Sequence, residues 1–251
     1  MEQIKEIQTI MKELRLSAAA KVIPELVQTA NVDQASYSDF LLSVMHKEQK
    51  ERAEKARLRR FTWATLPYQR SLDEFEVNIQ PALSQKQFNE LRELNWVDQS
   101  YNLILLGPTG VGKTFLSVGL CVEAINNGYS AIFITMGDLI KVLKTETISR
   151  QSQIRLKHLL KANLIVLDDL MFMALDQDEA NLLFYFINKL YEQTSFIITS
   201  NKSPEQWSEV IGDEVITGAI LDRIVQKSQV IEMIGDSYRV THRQTIFKDN
   251  K

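Results

Sequence analysis

Five short apolar runs, "YNLILLG", "SAIFITM", "LIVLDDL", "SFIITSN" and "SQVIEMI", recur from Tyr101 onward with helical patterns between them. Each is too short for a helix and rich in branched side chains, and the first four hold apolar stretches without alternation, which is the mark of a strand buried on both faces. Such strands joined by helices pair in parallel, so the expected fold is α/β: a parallel sheet wrapped by helices. A chain of 251 residues, 45% hydrophobic, can bury the core of one such domain and still carry a smaller appendage.

That appendage precedes the first strand. Ile4, Ile7, Ile10, Met11 and Leu14, then Val22 and Leu26, follow helical spacing, with a break expected near Pro24. A further helix is expected from Ser36 or Ser38, both N-cap candidates, with an apolar face at Phe40, Leu41, Val44 and Met45 and an end before Pro67. The boundaries read as a small all-helical domain over residues 1–65, for DNA or partner binding and assembly, then the larger domain over 66–251. The one cysteine, Cys121, excludes a disulfide framework and points to a reducing compartment, the cytoplasm. The N-terminus has no basic segment followed by an apolar block, and the longest apolar runs fall far short of the roughly 20 residues that cross a bilayer, so neither secretion nor a membrane span is expected.

Between the first strand and the helix "TFLSVGLCVEAINNG" lies "GPTGVGKT", Gly107 to Thr114. This is the strand, loop, helix setting of a phosphate cradle. Gly107, Gly110 and Gly112 let the backbone aim its N–H groups at phosphate oxygens, and the helix N-terminus adds a favourable dipole. Lys113 is expected on the β and γ phosphates and Thr114 on Mg²⁺. The whole stretch, with Pro108, Thr109, Val111 and the following Phe115, is the expected ATP-binding segment; the alternative is a glycine-rich turn that binds nothing. Phe75 and Tyr101 are candidates to flank the adenine.

A magnesium site needs an acid from a neighbouring strand, and "NLIVLDDL" offers Asp168 and Asp169 at its C-terminal end. Asp168 is expected in the Mg²⁺ shell and Asp169 beside the attacking water, although two acids at a strand end can also cap the next helix. Asn201, at the end of "SFIITSN", is expected either to hold that water or the γ phosphate, or to cap the helix beginning at "SPEQW".

Together these elements resemble an AAA+ ATPase, with Walker A, Walker B and sensor 1 motifs. "GDEVITGAILDRIVQKSQVIEMIGDSYR", residues 212–239, and the linker "LPYQRSLDEFEV" are similar to the helicase-loader and transposition-helper branch, the DnaC/IstB group, with the IstB-type transposition helpers the better match. The resemblance implies that Arg223, of the pair Asp222-Arg223, is an arginine finger and that Arg239 stands in the place of the sensor 2 arginine. An arginine finger reaches the γ phosphate from outside the cleft, usually from the adjacent subunit, so a homo-oligomer with ATP sites at subunit joints is implied; otherwise Arg223 is a surface arginine paired with Asp222 or Glu214. The catalytic set is thus Lys113, Asp168, Asp169, Asn201, Arg223 and Arg239. The family usually has Asp-Glu where this chain has Asp168-Asp169. The shorter acid implies closer water, help from another residue, or slow hydrolysis.

The resemblance further implies assembly with ATP on duplex DNA, with little sequence specificity, to assist a transposase in target selection. A helicase loader acting on single-stranded DNA is the alternative within the branch, and a small-molecule kinase the alternative outside it, which Arg223 and the sensor pattern argue against. The net charge of −3 is no signature of nucleic-acid binding, but its distribution is uneven. Between Lys47 and Arg60 seven basic residues stand against three glutamates, with Arg57, Arg59 and Arg60 as candidate phosphate contacts; Glu48, Glu51 and Glu54 can instead pair with Arg52, Lys55 and Arg57. The second patch, Lys141 to Lys161, carries Lys141, Lys144, Arg150, Arg155 and Lys157. His46, His158 and His242 are scattered, so no structural metal is expected.

Overall fold

The computed structural model describes residues 2–170 and 174–237. The chain divides into two compact units, Met1–Arg59 and Arg60–Lys251.

The first unit is built from α1 (Glu2–Glu13), α2 (Ser17–Val32) and the greater part of α3 (Tyr37–Ala64). Ser36 begins α3 as expected, its Oγ accepting from Asp39 N–H at 3.2 Å. Met11, Ala19, Ala20, Ile23 and Val44 form a small core. The break expected near Pro24 lies instead at Arg15, which takes a positive φ of 60° between α1 and α2. Pro24 stays inside α2. It removes the N–H that would bond to the Ala20 carbonyl one turn back. Gln8 Nε2 of α1 donates to that carbonyl at 2.8 Å, so the acceptor is satisfied from a neighbouring helix and the turn survives. Glu48 of α3 is buried, accepts from Ala18 and Ala19 N–H at 2.8 and 3.0 Å, and pairs with Arg52 at 2.8 Å. It caps the N-terminus of α2 from another helix.

In the second unit α4 (Gln85–Glu93) and α5 (Asn95–Asp98) lead into β1 (Asn102–Leu106), α6 (Lys113–Asn126), β2 (Ala131–Thr135), α7 (Met136–Thr145), α8 (Arg150–Leu159) and β3 (Leu164–Asp168). Then follow α9 (Gln177–Leu190), β4 (Ser195–Ser200), α10 (Ser208–Ile211), α11 (Glu214–Val225) and β5 (Ser228–Glu232). All five apolar runs are strands. They form one parallel sheet in the order β2-β3-β4-β1-β5.

Successive side chains of a strand alternate between faces, and the two core layers follow that alternation. Ile104, Ile165 and Ile198 pack on one side with α7, α9 and α11 residues such as Leu139, Leu183 and Ile220. Leu103, Leu105, Val166 and Ile197 pack on the other, against Leu116, Leu120 and Cys121 of α6 and Leu72 and Phe88. Burial pushes the Cys121 thiol up to about 12, which leaves it an unreactive core side chain. With both faces covered, the C-terminal edge of the sheet is where loops from β1, β3 and β4 meet, the usual ligand crevice of an open parallel sheet.

Candidate nucleotide-binding site

The loop after β1 holds three glycines at positive φ: Gly107 (138°), Gly110 (92°) and Gly112 (101°). At two of them space is as restrictive as conformation. A Cβ built on Gly107 would lie 2.0 Å from the Met233 carbonyl oxygen, and one on Gly110 would lie 2.1 Å from Ser237 Oγ. The chain leaving β5 is therefore pressed onto the loop, anchored by Met233 N–H to the Leu106 carbonyl at 2.8 Å. Any side chain at these two positions would force them apart.

Gly112 is the N-cap of α6 and offers no side-chain acceptor, so the dipole of a 14-residue helix opens onto the loop without a competing cap. Lys113 Nζ donates to the carbonyls of Gly107 and Pro108 at 2.7 and 2.8 Å, which holds the ammonium across the loop it closes. Val111 is buried, and its carbonyl accepts from Gln80 Nε2 at 2.8 Å; the buried Gln80 Oε1 has no partner among the described residues. Phe75 approaches to 3.4 Å of a Cβ built on Gly112, and its ring lies 6.0 Å from that of Phe115. Phe75 thus lies beside the loop. Tyr101 does not: it precedes Asn102 at the N-terminal end of β1, across the strand from the loop.

Thr114 Oγ1, on α6, lies 3.1 and 3.4 Å from the two carboxylate oxygens of Asp168 at the end of β3. The same carboxylate accepts from Thr199 Oγ1 of the intervening β4 at 2.7 Å, and Thr199 Oγ1 accepts from Asp169 N–H at 2.8 Å. Thr199 is the residue that sequence reasoning missed; its only signal was a hydroxyl, followed by that of Ser200, at the end of the apolar run Phe196 to Ile198. Burial raises the Asp168 carboxyl above its ordinary value; the Thr199 and Thr114 hydroxyls pull it back, Asp169 raises it, and Lys113 lowers it. Asp169 is exposed and adopts a positive φ of 60°, a conformation aspartate tolerates better than most residues. β4 ends at Ser200, paired with Leu106 of β1, so the exposed Asn201 stands at the level of Gly107. The cap before "PEQ" is made by Ser203, not by Asn201.

Arg223 lies elsewhere. Asn102 Nδ2, at the start of β1, donates to the Ile224 carbonyl at 2.9 Å, so the end of α11 adjoins the N-terminal edge of the sheet. The loop Gly107 to Thr114 follows the other end of that strand, about 13 Å away for four residue steps. Arg223 bonds neither Asp222 nor Glu214; Nε donates to Asn188 Oδ1 and Nη1 to the Ala219 carbonyl, each at 2.8 Å. Arg239 and His242 lie outside the described residues.

The basic candidates divide by their partners. Arg155 corrects the reading of its patch: its guanidinium donates to the carbonyls of Trp63 and Phe133 at 2.7 and 2.9 Å and to Thr65 Oγ1, joining the end of α3 to β2 and α8. Burial lowers its ordinary pKa, and the neighbouring His158 stacks on Trp63 at 3.7 Å. Lys144 pairs with Glu179 at 2.9 Å, and Arg57 with Glu54 at 2.8 Å. Glu51 and Lys55 pair at 3.5 Å. Lys141, Arg150, Lys157 and Arg59 are exposed, and Arg60 is half-buried.

A parallel sheet in the order β2-β3-β4-β1-β5, with a glycine loop and lysine after β1 and a facing acid after β3, defines an ATP-binding protein of the AAA+ P-loop class. The sequence model of the IstB-like ATP binding proteins matches residues 9–246, and the chain belongs to that family. The IS21-like insertion-sequence ATP-binding protein of Bacteroides fragilis is 37% identical over 245 residues, 98% of this chain and 93% of that one. Its IS21 counterpart from Pseudomonas aeruginosa is 32% identical over 95% of this chain and 90% of that one. Among solved structures, AMPPCP-bound DnaA from Aquifex aeolicus superposes with a TM-score of 0.56 at 21% identity, covering 70% of this chain and 53% of that one. The DnaC helicase loader gives 0.51 at 22%, covering 70% and 99%. These two share the fold.

Proposed function

We propose that this protein is an ATPase that assembles on duplex DNA with ATP bound and assists the transposase of its insertion sequence in choosing a target. The observation that carries the reading is the convergence of Thr114 and Asp168 beside the Lys113 loop, with Arg223 on α11 near the opposite end of β1, a placement that suits action on a neighbouring subunit's nucleotide. Relatives named for insertion sequences and ATP binding support the setting.

The donors suit Mg²⁺. Two cis oxygen ligands at about 2.1 Å from an octahedral ion lie about 3 Å apart, and Thr114 Oγ1 and Asp168 Oδ1 are separated by 3.1 Å. Bound there, the ion would neutralise charge building on the β and γ phosphate oxygens. The loop amides and Lys113 would hold the phosphates, and Thr199 would keep the Asp168 carboxylate turned toward Thr114. Asp169, helped by the Asn201 amide, would orient a water at the γ phosphorus and take its proton as the bond to the bridging oxygen breaks. That electron pair leaves with ADP. Arg223 and Arg239 would stabilise charge on the transferring group.

DNA contact falls to the exposed cations Lys141, Arg150 and Lys157, with Arg59 and Arg60, touching phosphates without reading bases. The protein would work in the cytoplasm. Binding to duplex and single-stranded DNA of equal length, with ADP and with a non-hydrolysable ATP analogue, tests the proposal by light scattering and affinity together. Large particles on duplex with the analogue alone are expected. Preference for the single strand without growth on duplex would overturn it and favour a helicase loader.

A further inference from the structure

Arg223 is held on three sides. Besides the bonds to Asn188 Oδ1 and the Ala219 carbonyl, its guanidinium carbon sits 5.0 Å from the centre of the Phe184 ring. Phe184 and Asn188 are four residues apart on α9 and so share one helix face, which packs along α11. A guanidinium has five N–H donors, and these contacts use two of them.

The chemistry of the two α9 partners is informative. A carboxylate would fix the arginine more strongly, but it would also cancel the charge. An amide oxygen accepts the Nε–H and a ring face attracts the cation, and neither neutralises it. Asp222, its neighbour in sequence, does not pair with it. An arginine oriented this way keeps its full charge and its outer donors for an external anion.

We propose that Asn188 and Phe184 are positioning residues for Arg223, setting its guanidinium to meet the γ phosphate held by an adjacent subunit. This rests on the reading of Arg223 as a finger acting between subunits. Neither α9 residue touches the nucleotide; both act through the arginine. Since a misplacement of about 1 Å can reduce turnover about 100-fold, Asn188→Leu is expected to lower kcat about 10- to 100-fold with nucleotide affinity unchanged. Phe184→Leu acts likewise, and Phe184→Tyr, which keeps the ring face, restores turnover to within about 3-fold.

Mixed assemblies separate positioning from general damage. Lys113→Ala subunits keep the finger and lose the cradle; Arg223→Ala subunits keep the cradle and lose the finger. Their mixture should hydrolyse ATP where neither does alone. Adding Asn188→Leu to the Lys113→Ala subunit, the finger donor, should remove that activity. Adding it to the Arg223→Ala subunit, where no finger remains to be placed, should leave it intact. Equal loss in both arms would make Asn188 merely structural and overturn the proposal, as would loss in neither. A parental mixture without turnover would instead defeat the finger reading itself, and the positioning role would fall with it.

Discussion

Replacing Thr199 by valine keeps the shape of a side chain that is 2% exposed and deletes one hydroxyl. That hydroxyl donates to Asp168 at 2.7 Å and accepts from Asp169 N–H at 2.8 Å. A hydrogen bond to a charged group contributes about 1.5–3 kcal/mol, and water at the exposed Asp169 backbone recovers part of the second bond, so Thr199→Val should destabilise the nucleotide-free protein by about 2 kcal/mol at neutral pH. Urea denaturation measures it. The pH dependence is a sharper check. The Asp168 carboxyl is already raised by burial, and its strongest hydrogen bond opposes the rise. A raised carboxyl stabilises the fold while protonated, and that contribution is lost as pH climbs through its raised value. Valine raises it further, so the deficit should widen from below the ordinary aspartate value of 3.8 up to neutrality and then level off. A deficit under about 0.5 kcal/mol, or one equal at both ends of that range, would show that Thr199 does not govern the Asp168 carboxylate.

Gly107→Ala drives a methyl against the Met233 carbonyl, and ATP affinity should fall at least about 10-fold by equilibrium binding; unchanged affinity would mean that the loop and the chain leaving β5 separate easily. For Glu48, burial alone would raise the carboxyl, but the Ala19, Arg52 and Ala18 bonds hold it below its ordinary 4.5, so its stabilisation is complete above that value and lost as pH falls through the depressed one. Glu48→Gln should lower the melting temperature of the first unit by about 5 °C at pH 7 and flatten its acid limb, as followed by calorimetry. Replacing Arg150 and Lys157 by alanine should weaken duplex binding and reduce the slope of log affinity against log salt by about 2, whereas an unchanged slope would move the contacts to Arg59 and Arg60.

The sheet was legible because contiguous apolar runs have few other uses, and the loop because Gly107, Lys113 and Thr114 serve one chemistry at that spacing. What escaped depends on partners distant in sequence. Pro24 reads locally as a break; only the arrival of Gln8 on the Ala20 carbonyl explains why α2 continues. Arg155 reads as surface charge until the oxygens of Trp63 in α3, Thr65 just after it and Phe133 in β2 surround it. Thr199 gains its role from register, since Leu167 opposite Ile198 sets Asp168 beside it. Tyr101 was within reach of sequence reasoning: a parallel strand has one ligand edge, and a residue before β1 is at the wrong end of it.

Completion of each ATP site by the neighbouring subunit, as proposed, is tested most directly by ATP turnover per subunit across a wide range of protein concentration with Mg²⁺ present. Specific activity should rise steeply with concentration to a plateau, and an Arg223→Ala variant should bind ATP normally while its turnover stays at least about 1,000-fold lower throughout. Specific activity independent of concentration, together with undiminished turnover in Arg223→Ala, would contradict it.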